Sequence, residues 1–172
     1  LSQNPKLREL GVQNSMLTAI DLSKLPELEV AVLSGNKLGT LDLTHNPKLR
    51  ILYCEKTELT SLDLSKCPDL TFIQCSMNYD LKTVDLSMLP KLEVFKADLI
   101  GMKSLDVSHN PKLKQLHLGG NNLTTLDLSK NPLLEELNLN LNKKLTSLDF
   151  LSARAQDACD QENQPYHRSR LL

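Results

Sequence analysis

Aromatic residues are scarce in this chain of 172 residues, with three Phe, three Tyr and no Trp. A globular core normally mixes side-chain shapes to fill space. One supplied almost wholly by Leu calls for a stack of equivalent layers, each placing the same side chain at the same point. Charge is equally without bias, since 20 Lys and Arg face 21 Asp and Glu for a net charge of −1. That excludes the basic stripe of a nucleic-acid binder and offers no attraction to an anionic membrane. No apolar run approaches the roughly 18 residues of a spanning helix, so no membrane insertion of this segment is expected. Cys54, Cys67, Cys75 and Cys159 are too few and too irregular for a disulfide scaffold. The sequence has no H-x-x-x-H pair, no phosphate-binding Gly loop and no G-x-S-x-G. No enzymatic activity, metal or cofactor is expected.

What the chain does have is a period. Proline recurs as Pro5, Pro26, Pro47, Pro68, Pro90, Pro111 and Pro132, at intervals of 21 or 22 residues. An apolar-Asp pair keeps the same rhythm at Asp21, Asp42, Asp63, Asp85, Asp106, Asp127 and Asp149. Each unit follows L-x-x-L-x-L-x-x-N-x-L-x-x-L-D-L-S-x-N-P-x. The clearest copy runs from Leu113 to Lys130, LKQLHLGGNNLTTLDLSK, closed by Asn131-Pro132. Its first half is the leucine-rich repeat signature, and its second half nearly repeats the first. The predicted fold is therefore a leucine-rich repeat solenoid, a curved right-handed coil. It carries a parallel β-sheet on one face, extended or 3₁₀ segments on the other, and few or no α-helices. Residues 1–150 form about seven such coils, and 151–172 a non-repeat tail or cap.

The nested repeat resembles the short leucine-rich repeats of bacterial surface proteins of the internalin J type. In that group Cys often fills the last apolar position of the first half-turn, as Cys54 and Cys75 do here, with Val12, Leu33, Leu118 and Leu139 in other coils. The resemblance implies a secreted or cell-surface bacterial protein. It covers residues 1 to about 150.

Within a coil, side chains of segments such as Leu116-His117-Leu118 alternate inward and outward, and successive segments pair as parallel strands about 4.8 Å apart. Asn36, Asn78, Asn121 and Asn142 follow the strand, where an amide can bond the backbone at the bend. Pro ends the second half-turn because it cannot extend a ladder. The two 22-residue Asp intervals place an extra residue just after Asn78 and Asn142, where an insertion is expected to bulge outward. The chain opens inside a repeat with no cap over its first leucine layer, so a longer parent protein is expected.

Candidate chemistry is thin. His45 and His109 share a column but lie three coils, roughly 15 Å, apart, which rules out a shared metal; His117 stands alone. Cys54 and Cys75 point inward on adjacent coils, either as small buried hydrophobes or as a disulfide or metal pair. The stacked Asp ladder is either solvated and bonded to local groups or a cation-binding row.

Comparing the copies with each other separates fold from function. Outward positions of the second half-turn are monotonous: Thr40, Asp42, Thr44, then Ser61, Asp63, Ser65, then Thr83, Asp85, Ser87. Those of the first half-turn vary, and coils two to five put Val30, Ile51, Phe72 and Val94 in one column, with Val32 and Tyr53 beside it. Such an apolar strip with a polar rim is what a partner-binding face looks like, although these residue types also favour strands for their own sake and could pack against a further domain. The expected function is recognition of a protein, or of a glycan, by the sheet face. Tyr53 and Phe72 would anchor it, and Glu55, Gln74, Lys96 and His117 would set the rim. The alternative is a structural spacer or a cation-binding surface built on the Asp ladder.

Overall fold

Leucine spacing dictates the architecture. A computed structural model describes residues 3–150; the non-repeat segment 151–172, with Cys159, lies outside the described residues. Nine three-residue strands occur in chain order: β1 (Glu9–Gly11), β2 (Val30–Val32), β3 (Ile51–Tyr53), β4 (Phe72–Gln74), β5 (Val94–Lys96), β6 (Gln115–His117), β7 (Thr125–Asp127), β8 (Glu136–Asn138) and β9 (Ser147–Asp149). Seven of them form one parallel sheet, β1-β2-β3-β4-β5-β6-β8, and β7 pairs with β9 in a second. No helix occurs among the described residues. This is the leucine-rich repeat solenoid that the period predicts, one coil per strand of the main sheet.

The middle residue of each main-sheet strand faces inward. Leu10, Ala31, Leu52, Ile73, Phe95, Leu116 and Leu137 stand in strict register, and all are buried. Beside them Leu28, Leu49, Leu70, Leu92 and Leu113 are fully buried. Each such side chain is worth about 1.5–3 kcal/mol relative to exposure. Coil five departs from the leucine rule in a compensated way: Phe95 adds volume, and Ala97, two residues on, gives some back.

At each repeat proline from Pro26 to Pro132 the backbone turns twice with i→i+3 bonds, as from Asn46 N to Leu43 O and from Leu49 N to Asn46 O. The convex side is thus extended chain joined by tight turns. The extra residues bulge outward as expected, Tyr79 being 62% exposed. Buried amides sew coil to coil. Asn78 Oδ1 accepts from the N–H groups of Thr57 and Leu59 at 3.1 and 2.9 Å, and its Nδ2 donates to Cys54 O and Cys75 O at 2.9 and 2.8 Å. Asn36 and Asn121 do the same in their coils.

Immediately after the sheet, one residue per coil is left-handed: Asn14, Gly35, Lys56, Met77, Leu99, Gly120 and Leu141, with φ between +53° and +72°. For residues other than Gly this costs about 1–2 kcal/mol. The period makes the bend obligatory but does not place glycine at every copy of it.

Candidate functional site

Because inward positions are filled by the core, the flanking residues of every main-sheet strand face solvent. Strand register stacks them into two columns. One runs Glu9, Val30, Ile51, Phe72, Val94, Gln115, Glu136, and the other Gly11, Val32, Tyr53, Gln74, Lys96, His117, Asn138. From β2 to β6 these side chains are half-buried by their neighbours in adjacent coils, yet none belongs to the core. Val30, Ile51, Phe72 and Val94 are contiguous across four strands. Tyr53 lies diagonally against Phe72, ring centroids 4.6 Å apart and planes tilted by 36°, a contact that fixes both rings.

Two polar pairs beside the strip are bonded within the chain. Gln74 Nε2 donates to Glu55 Oε2 at 2.7 Å, and His117 Nε2 pairs with Glu136 Oε1 at 2.8 Å. The structure therefore brings together Val30, Val32, Ile51, Tyr53, Glu55, Phe72, Gln74, Val94 and Lys96 on one face. It places His117 on that face too, engaged with Glu136 rather than alone.

Sequence reasoning missed a feature of the rim at the N-terminal end of the strands. There, opposite charges one coil apart join: Arg8 with Glu29 at 2.8 Å, Lys48 with Glu27 at 2.6 Å, Lys91 with Asp69 at 2.6 Å and Lys114 with Glu93 at 2.8 Å. Hydrogen bonding to Arg8 holds the Glu29 carboxyl below its ordinary value. Such exposed pairs add little stability; what they do is neutralise this edge. The signal was present as opposite charges one repeat apart.

The second half-turn offers different chemistry. Asp21, Asp42, Asp63, Asp85, Asp106 and Asp127 each accept the N–H two residues on through Oδ1, at 2.8–2.9 Å. Bonds to the following Ser or Thr hold all six carboxyls below their ordinary value. Among the described residues no three His, Cys, Asp or Glu side chains gather into a group suited to a metal ion. Cys54, Cys67 and Cys75 are buried and not in disulfides. Burial pushes the Cys54 thiol up to about 12, burial and secondarily Asp63 push Cys67 up to about 11, and Cys75 is raised well above its ordinary value, first by burial. Protonated thiols are neither nucleophiles nor ready metal ligands.

No family model and no curated protein matches the chain. Solved structures do. The functional domain of InlJ from Listeria monocytogenes, described as including a cysteine ladder, is 29% identical with a TM-score of 0.50, over 88% of this chain and 46% of that one. The internalin InlF from Listeria monocytogenes is 18% identical with a TM-score of 0.74, over 88% and 50%. YopM from Yersinia enterocolitica is 23% identical with a TM-score of 0.64, over 86% and 33%. The chain thus spans half or less of the length of these proteins, and its resemblance to the internalin J type holds in three dimensions.

Proposed function

We propose that this chain is a non-enzymatic module that recognises a protein through the main-sheet face. The observation that carries this is the distribution of variation among the coils. Outward residues of the second half-turn repeat, whereas those of the first differ and gather Val30, Ile51, Phe72, Val94, Val32 and Tyr53 into one apolar patch. Tyr53 and Phe72, already packed on one another, serve as rigid anchors that lose little freedom on binding. Glu55, Gln74, Lys96 and His117 form the polar margin. A cation-binding role for the Asp ladder has less support, because six of its seven carboxylates already serve their own turns. By likeness to the internalins alone, we further assign the protein to a bacterial surface or secreted location.

Peptides of about twenty residues, enriched from a random displayed library on the wild-type chain, provide a probe. Tyr53→Ala combined with Phe72→Ala is expected to leave folding intact and weaken those peptides at least tenfold. Unchanged affinity, or a large loss of stability, removes both residues from the ligand role. Calorimetric titration with Ca²⁺ and then EDTA is expected to give no saturable heat and no shift in melting temperature; a saturable heat transfers the function to the Asp ladder.

A further inference from the structure

The left-handed column at the C-terminal edge of the sheet face separates what the fold prefers from what the chain carries. Glycine adopts that conformation without strain, while a bulky side chain is disfavoured. Two coils follow the preference, with Gly35 and Gly120. The other five copies do not: Asn14, Lys56 and Leu141 share the conformation, and coils four and five carry Met77 and Leu99. Leu99 is 37% exposed, Met77 is half-buried, and neither packs into the core. Leu99 also explains Gly120, since a Cβ there would overlap Leu99 Cδ2. The core gains no packing from these two side chains, and the backbone is strained to display them. Strain that packing does not explain gathers at functional positions, and these two copies are the ones that combine it with an apolar side chain in a coil of the apolar strip.

The same two coils supply Phe72 and Val94 to the apolar strip. Each coil therefore shows an apolar group at both ends of its outward segment, Phe72 with Met77 and Val94 with Leu99. Between them lies a polar floor. Ser76 Oγ is 3.1 Å from Asp98 N, from which it accepts, and Asp98 Oδ1 accepts the N–H of Gly119 at 2.6 Å. We infer that Met77 and Leu99 form the second edge of the recognition face and grip the same protein partner as the strip, an inference that rests on the binding role proposed above.

Area supports this extent. The six apolar side chains of the patch present on the order of a few hundred Å², whereas a stable complex buries roughly 800 Å² on each partner. Reaching Met77 and Leu99 across the polar floor moves the footprint toward that size. Charge defines the occupant: Arg8, Lys48, Lys91 and Lys114 on the opposite edge are already matched within the chain. The partner is a protein segment with two apolar ridges and a polar, hydrogen-bonding middle that meets Lys96 and Asp98.

Met77→Gly with Leu99→Gly tests the assignment. Relief of strain is expected to raise the melting temperature by roughly 1–3 °C, while the library peptides selected on wild type bind at least fivefold more weakly. Met77→Ala with Leu99→Ala keeps the strain, so it is expected to weaken the peptides without raising the melting temperature. A lower melting temperature for the glycine pair assigns the two residues to packing and overturns the inference. If the glycine pair binds as wild type while Tyr53→Ala with Phe72→Ala does not, the second edge fails and the strip stands. If both pairs bind as wild type, the binding role itself fails. Concentration-dependent sedimentation abolished by the glycine pair makes the occupant a second copy and likewise overturns the proposal.

Discussion

Asn121 uses its whole amide. Oδ1 accepts from the N–H groups of Ile100 and Met102 at 3.2 and 3.0 Å, and Nδ2 donates to Ala97 O and Leu118 O at 2.8 and 2.9 Å. Asn131 is just as buried but uses only half: Nδ2 donates to Val107 O and Asn110 O, and Oδ1 has no partner. Asn46 and Asn110 share that orphaned oxygen. An unmade hydrogen bond at a buried backbone group costs about 1–3 kcal/mol. Asn121→Ala is therefore expected to lose about 3 kcal/mol or more in urea unfolding, and Asn131→Ala about 1–2 kcal/mol. Equal losses contradict this account of the two columns. Cys67 occupies the same position as Asn131 in its own coil, with Sγ 3.5 Å from Asn46 O; a weak donor suffices where the amide oxygen has nothing to do.

The two half-turns of a coil divide the work. The first carries the strand and the varied face, and the second repeats an Asp-centred turn in nearly every coil. Asp42 shows the device: Oδ1 accepts Thr44 N at 2.9 Å and Thr44 Oγ1 at 2.7 Å, and the carboxyl is held low by those bonds. A carboxyl with a folded-state value below its unfolded value stabilises the fold fully above the unfolded value, near 3.9. That contribution is lost as pH falls through the folded value. With six turns alike, the melting temperature is expected to fall steadily from about pH 5 to about pH 2. A flat profile across that window contradicts the structural role of the Asp ladder.

Over the whole molecule, the fold was legible because one constraint repeats. Leu10 and its six successors face one interior, and a slip of one residue would turn every leucine outward, so the period alone fixes coil, strand and register. The candidate face was legible for the same reason, since inward leucines leave Tyr53 and Phe72 nowhere to point but outward. What stayed hidden depends on torsion and reach. Nothing about Met77 or Leu99 in the sequence marks a positive φ, because the glycines that would signal it occur in only two of seven copies. The pairing of His117 with Glu136 depends on side-chain reach across to the next coil, which the repeat does not encode. The partner is hidden altogether, since an exposed apolar column records that contact is possible and not with whom.

The account turns on the outward column being spare to the fold. Urea unfolding of Phe72→Ala beside its inward neighbour Ile73→Ala measures this directly. Ile73→Ala is expected to cost about 2–5 kcal/mol, as buried truncations do, and Phe72→Ala no more than about 1 kcal/mol, the scale of strand preference. If Phe72→Ala costs as much as Ile73→Ala, the strip is part of the core and the recognition face does not exist.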